Sequence, residues 1–252
     1  NGNVVVTGSY SGTVNLGGGS VTSAYNTADT FVVKYSPSGA YLWAKTFAGG
    51  GQYESGYGIA VDSGGNVIVT GDFLASVDFG GGYLKGYGTH NVFLAKYSPS
   101  GAHLWSKAFG YGTDDIPYGV AVDSSGNILI TGYFFGSLDF GGGSLVSQGD
   151  ADIFLAKYSS SGAHLWSRSF GSTSKDIGYG VAVDGSGNAV GTGYFMGTVD
   201  FGGGSLSSNS QMDIFLARYS ASGSLTWAKN AGNVYSNRGN SVATDGSGNV
   251  IV

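Results

Sequence analysis

Short apolar runs rich in Val, Ile, Leu, Phe and Tyr recur along the whole chain, separated by clusters of Gly, Ser, Asn and Asp. No stretch carries apolar residues at helical spacing over the eleven or more positions that an amphipathic helix needs, so the pattern predicts strands and no helix. One stretch shows the scheme. Residues 180–183, 188–195, 213–219 and 225–229 read as four consecutive strands. The third of these (DIFLARY) is apolar on both faces apart from one basic residue, which suits a sheet covered on both sides. The first (GVAV) carries small side chains, as expected for an inner strand in a crowded setting. The connections between strands 1 and 2 are Asp-x-x-Gly-Asn, at 62–66, 123–127, 184–188 and 245–249. Those between strands 3 and 4 read like Ser36-Pro37-Ser38-Gly39. Both are turn chemistry, with Asp or Ser accepting backbone bonds and Gly taking positive φ.

The four-strand scheme repeats. Trp43, Trp105, Trp166 and Trp227 are spaced by 62, 61 and 61 residues. The Thr-Gly pairs beginning at Thr7, Thr70, Thr131 and Thr192 keep step, as do the triple glycines beginning at Gly17, Gly80, Gly141 and Gly202. Such a period is the signature of a repeat architecture. The units run over 3–65, 66–126, 127–187 and 188–248, and 249–252 begins a fifth copy. The expectation is one all-β repeat domain over 1–252, a β-propeller of four-stranded antiparallel blades. Gly-Asn-Val-x-Val-like segments occur five times, and the strands sum to 17, one more than a closed four-bladed ring uses. A closed four-bladed ring, a segment of a larger propeller and two chains completing an eight-bladed ring all fit, and the incomplete terminal blade offers a surface for self-association.

The run DIFLAKYSSSGAHLWSRSFG, with KDIGYGVAVDGSGN and TGYFMGTVDFGGG, resembles the bacterial SBBP repeat family, named for seven-bladed β-propellers. The resemblance covers essentially the whole chain. It implies an exported or surface-exposed propeller and carries no common catalytic motif. The fourth copy departs from the pattern, with Asn240-Ser241 for Tyr-Gly, Thr244 for Val and Ala231 for Phe.

Composition narrows the functions. Gly is 48 of 252 residues with only 3 Pro, while 41% are hydrophobic, which fits many tight turns rather than a disordered tract. Eleven Lys and Arg are scattered and the net charge is −5, so no basic stripe exists for nucleic acid or an anionic membrane. The absence of Cys excludes thiolate metal sites and Cys nucleophiles. No apolar run reaches membrane-spanning length.

In an up-and-down blade, the short 1–2 and 3–4 turns share one end and the longer 2–3 and 4–1 loops the other. The 2–3 tips (22–28, 83–90, 146–151, 207–212) and the 4–1 loops vary among copies, so this end is the expected binding face. Its candidate ligand-binding residues are Tyr53, Glu54, Tyr83, Tyr87, Tyr111, Asp114, Asp115, Asp176 and Asn237. The repeated polar residues read as scaffold. Asp78, Asp139 and Asp200 are replaced by Asn15, and the His103 and His164 position also accepts Tyr41 and Leu225. Each Trp reads as a packing anchor between blades, and the periodic Lys or Arg as packing or a blade-edge ion pair. His90 reads as a solvated loop residue.

No cofactor is expected. Calcium, which wants several converging oxygens, has only Asp114, Asp115 and Asp176 as weak candidates. No catalytic constellation is present. The expected function is a non-enzymatic, extracellular or cell-surface scaffold that binds protein and serves adhesion. The alternatives are a multivalent glycan-binding module and, behind it, a propeller hydrolase or lyase.

Overall fold

The computed structural model describes residues 2–49, 53–112, 114–209 and 211–252. The chain divides into two compact units, residues 1–116 and 117–252, each with its own apolar core.

The first unit contains β1 (Val4–Tyr10), β2 (Thr13–Asn15), β3 (Ser20–Thr22), β4 (Asp29–Tyr35), β5 (Tyr41–Phe47), β6 (Glu54–Val61), β7 (Val67–Phe73), β8 (Ser76–Asp78), β9 (Tyr83–Lys85), β10 (Asn91–Tyr97) and β11 (His103–Phe109). A three-stranded sheet has the order β1-β4-β5, and a four-stranded sheet the order β11-β10-β7-β6. The second unit continues with β12 (Ile116–Val122), β13 (Ile128–Phe134), β14 (Ser137–Asp139), β15 (Ser144–Val146), β16 (Asp152–Tyr158), β17 (His164–Phe170), β18 (Ile177–Val183), β19 (Ala189–Phe195), β20 (Thr198–Asp200), β21 (Ser205–Ser207), β22 (Asp213–Tyr219), β23 (Leu225–Ala231), β24 (Ala243–Thr244) and β25 (Val250–Ile251). Its four-stranded sheets run β12-β13-β16-β17 and β18-β19-β22-β23, and β24 pairs with β25 alone. All the pairings with a described register are antiparallel meanders, as the sequence predicts. One 3-10 turn, Ala24–Asn26, departs from the expectation of no helix, with Tyr25 and Asn26 at positive φ. The divergent fourth copy forms only the two-residue strand β24 where the other copies make full first strands.

The core lies where the sequence is apolar on both faces. Every residue of β7, β10, β16 and β19 is buried. The Thr-Gly motif has a precise role. Thr7, Thr70, Thr131 and Thr192 each donate from Oγ1 to the carbonyl of a third-strand Phe, at 2.7–2.8 Å. The glycine after Thr70 lies where the bulge beside Gly56 brings the first strand close, and a Cβ on Gly71 would sit 1.9 Å from the Ser55 carbonyl oxygen. Only glycine fits there.

The triple-glycine segment is a tight hairpin within the 2–3 connection, as expected: β2-β3, β8-β9, β14-β15 and β20-β21. Asp78 Oδ1 closes it by accepting the Gly80 and Gly82 N–H groups at 2.7 and 2.9 Å, and Asn15 does the same for Gly17 and Gly19. The amide therefore serves as well as the carboxylate. Tyr35, Tyr97, Tyr158 and Tyr219 anchor the hairpins by donating to the carbonyls of Leu16, Phe79, Phe140 and Phe201. The hairpins fold back along the outermost strand of their own sheet, where Tyr41, His103, His164 and Leu225 lie against Gly18, Gly81, Gly142 and Gly203. Both histidines are packing residues. Half of each 2–3 loop is thereby scaffold, and only the tips remain for display.

Candidate functional site

Two kinds of polar residue meet at the ends of the sheets: those held in every copy, and those present in one copy only.

The Asp-x-x-Gly-Asn turn is built the same way each time. Asp62 Oδ1 accepts the Asn66 N–H at 2.9 Å, Asp62 Oδ2 accepts Asn66 Nδ2 at 2.8 Å, and Lys96 Nζ lies 2.9 Å from that same Oδ2. Asp123 with Asn127 and Lys157, and Asp184 with Asn188 and Arg218, repeat the triad. Burial pushes these carboxyls up, but the hydrogen bonds from Asn and the cation outweigh it and hold all three below the ordinary range. The cation also reaches the following copy. Lys34 Nζ donates to the Pro99 carbonyl at 3.0 Å, and Lys157 Nζ to the Gly187 and Ala221 carbonyls at 3.2 and 3.4 Å. Trp43 and Trp166 donate from Nε1 to the Pro99 and Ala221 carbonyls, both at 3.0 Å, with their rings against Gly101 and Gly223. These tryptophans are packing anchors between copies, as expected. Grooves lie beside these turns, about 650 Å³ near Trp43 and about 220 Å³ near Lys157. Their Lys and Trp donors are already engaged, so neither groove presents a converging polar set.

The opposite end was expected to carry the binding residues, and the structure sorts them. Glu54, Asp115, Asp176 and Asn237 are equivalent. Each backbone N–H donates to the residue preceding the third strand of the copy before: Ala28, His90, Ala151 and Met212. Glu54, Asp115 and Asp176 are buried, which removes them from the displayed set. Asp176 Oδ2 accepts the Ser172 N–H and Oδ1 the Met196 N–H, both at 2.7 Å. Burial pushes it up to about 6, with Asp152 adding repulsion. Neither Glu54 oxygen has a hydrogen-bond partner of full geometry. Burial raises Glu54 to about 8, offset in part by the nearby Gly49 backbone and reinforced by Asp29 and Asp72. His90 is not merely solvated: its Nδ1 pairs with the buried Asp72 carboxylate. Among the described residues no group of three or more His, Asp or Glu is placed to hold a metal.

The aromatic candidates are displayed. Tyr83 and Tyr111 are 77% and 76% exposed, with Tyr53 and Tyr87 at 58% and 48%. Tyr87 and Tyr111 come together, with ring centroids 5.5 Å apart and the Gly112 N–H donating to the Tyr87 carbonyl at 3.0 Å. Lys85 Nζ sits 5.1 Å from the Tyr87 ring centroid. In β9, Tyr83 and Lys85 face outward while Leu84 faces in. Lys85 escaped the sequence reading, though its absence from the equivalent position of other copies was the available signal. A second group in the other unit also escaped it. Tyr118 lies 5.1 Å from Tyr179 and 5.9 Å from Tyr133, with Lys175 Nζ 5.0 Å from the Tyr133 ring.

Residues 104–133 match the SBBP Beta-propeller repeat family. That segment runs from β11 through the 4–1 loop and β12 into β13, so it spans the link between copies. An uncharacterized WD repeat-containing protein of Acanthamoeba polyphaga mimivirus is 27% identical over 249 residues, covering 84% of this chain and 18% of its own length. The chain thus spans less than a fifth of that relative. A crystal structure of a protein of unknown function from Bacteroides caccae aligns over 81% of this chain and 77% of its own, at a TM-score of 0.40 and 10% identity. No helix among the described residues is long and apolar enough to cross a membrane.

Proposed function

We propose that the SBBP copies are blades of a propeller that works as a non-catalytic protein-binding scaffold, displayed outside the cell and adhesive in role. The observation that carries the reading is the division of polar residues. Those that recur are engaged in turns, hairpins and junctions between copies, whereas Tyr83, Lys85, Tyr87 and Tyr111 belong to one copy and stand exposed together. Tyr is favoured at protein interfaces because it covers a large contact area with few rotatable bonds. The repeat match and the WD repeat-containing relative support the same class of role.

A glycan-binding module is the second reading, favoured by the Tyr87–Tyr111 pair with an ammonium beside it. One experiment separates the two. Purified chain is applied to immobilised cell envelopes that have been treated with protease or, separately, with periodate. Binding that disappears with protease, and with Tyr83, Tyr87 and Tyr111 together changed to Ser, supports the protein-binding reading. Loss only after periodate supports the glycan reading. Binding unchanged in the triple variant sinks this surface as the site.

A further inference from the structure

The third strand of each copy opens on a buried residue that is Asp29, Asn91, Asp152 or Asp213. All four hold one side-chain oxygen in the same way. It accepts a backbone N–H from four or five residues earlier: Ala24 to Asp29 Oδ2 at 2.9 Å, Tyr87 to Asn91 Oδ1 at 3.0 Å, Gln148 to Asp152 Oδ2 at 3.0 Å, Asn209 to Asp213 Oδ2 at 3.2 Å. One atom of each planar group remains. In the second copy that atom is Asn91 Nδ2, and it donates to the Thr89 carbonyl at 2.6 Å and the Phe73 carbonyl at 3.3 Å. In the other three copies it is Oδ1, buried and without a hydrogen-bond partner. The second copy has a donor as the remaining atom, and the other three have an oxygen.

We infer that Asp29 and Asp152 are held in the folded chain as neutral carboxylic acids, each presenting an O–H from Oδ1 where Asn91 presents its amide N–H. An ionised carboxylate would leave a charged Oδ1 buried with no donor, at the full desolvation cost of an unsatisfied group. A proton turns that oxygen into a donor. The surroundings agree. The titratable groups facing Asp29 are Glu54 and Tyr10, and Asp176 faces Asp152. Among the described residues no Lys, Arg or His forms an ion pair with either. The end of the fourth strand closes over the group: a Cβ on Gly171 would lie 2.1 Å from Asp152 Cγ, and one on Gly232 2.0 Å from Asp213 Oδ1. Burial raises Asp29, and raises Asp152 to about 6.

The chain therefore carries a proton-dependent lock at the loop end of two copies and a permanent amide version in the second. Raising pH removes the protons and loosens the strand ends that open on Asp29 and Asp152. The inference stands independently of what the displayed loops bind.

The test compares thermal unfolding of the intact chain at pH 5 and pH 8 with that of D29N/D152N and of N91D. The expected results are a lower Tm at pH 8 for the wild type, a smaller drop for the double variant with its Tm at pH 8 above the wild type's, and a larger drop for N91D. Carboxyl ¹³C titration of wild-type Asp152 gives a readout that needs no variant to fold, with a midpoint near 6 expected. A midpoint at or below the ordinary Asp value near ~4, or a double variant with the wild-type pH dependence, overturns the inference. So does 5 mM CaCl2 raising the wild-type Tm at pH 8 but not that of the double variant, because a cation rather than a proton would then fill the site.

Discussion

Replacing Lys157 with Met tests how copies are joined. The ammonium is 2% exposed and has three partners: Asp123 Oδ2 at 3.1 Å in the turn of its own sheet, and the carbonyls of Gly187 and Ala221 in the turns of the next sheet. Methionine keeps the length of the stem and its packing but removes every donor. Ala221 retains the Trp166 Nε1–H, and Asp123 retains the Ser125 and Asn127 donors at 2.8–3.0 Å, whereas the Gly187 carbonyl loses this donor. Breaking a buried ion pair costs ~3–5 kcal/mol, and the three surviving bonds to Asp123 place this case at the lower end, ~3 kcal/mol. At ~2–4 °C per kcal/mol for a chain of this size, Tm falls by about 6–12 °C. Asp123→Asn, which leaves the ammonium buried without its counter-charge, costs at least as much, and the double variant costs less than the sum because no uncompensated charge remains. Lys34 is the control. It donates to the Pro99 carbonyl and forms no carboxylate pair among the described residues, so Lys34→Met costs only ~1 kcal/mol, the net worth of one hydrogen bond or slightly more. Urea and thermal unfolding of the four variants close the cycle. A loss below ~1 kcal/mol for Lys157→Met refutes the claim that its ammonium holds the copies together, and strict additivity with Asp123→Asn refutes the coupling of the pair.

Asp78→Asn leaves stability unchanged within ~0.5 kcal/mol because Asn15 already closes the same hairpin, whereas Asp78→Ala loses ~1 kcal/mol, read as a shift in urea midpoint at constant slope. Stability against pH bends in two directions. Asp62, Asp123 and Asp184 have folded values below their unfolded ones, so their contribution is present above ~4 and lost as pH falls further. Glu54 has a folded value raised to about 8, so its effect runs the other way: stability falls as pH rises from the ordinary Glu range toward 8. Glu54→Gln removes that alkaline decline, on the order of several kcal/mol at most, and an unchanged Tm difference between pH 5 and pH 9 in this variant contradicts the assignment.

Local features were the legible ones. Residues 213–219 read as a strand from their apolar content and are one in the structure, because the turn residues on either side fix its ends. The Asp-x-x-Gly-Asn turns and glycine hairpins could be read because their bonds span two to four residues. What escaped depends on chain far away in sequence. A carboxylate in a loop, such as Asp176, reads as solvated, and its burial arises from backbone bonds to Ala151 in one direction and Met196 in the other. His90 and Asp72 are 18 residues apart with no local pattern to link them, and Trp43 reaches a carbonyl 56 residues on. A signal for part of this was present. Glu54, Asp115, Asp176 and Asn237 fall in one register of the repeat, and a recurring polar position belongs to the scaffold before it belongs to a ligand.

That rule has a physical basis. Repeated copies that pack on their neighbours sum their stability from nearly identical junctions, so a residue in the junction is under the same demand in every copy. Lys96, Lys157 and Arg218 can exchange one cation for another, and Asp78 and Asn15 one acceptor for another, but none can become apolar without leaving buried partners unmet. A surface residue meets no such demand. Tyr83, Lys85, Tyr87 and Tyr111 rest on a hairpin and loop whose geometry is already fixed by Asp78, Tyr97 and Asn91, so they add contact area without adding to the junctions beneath. Changing them is therefore expected to move binding and leave unfolding in place, and changing Lys157 or Asp123 to do the reverse.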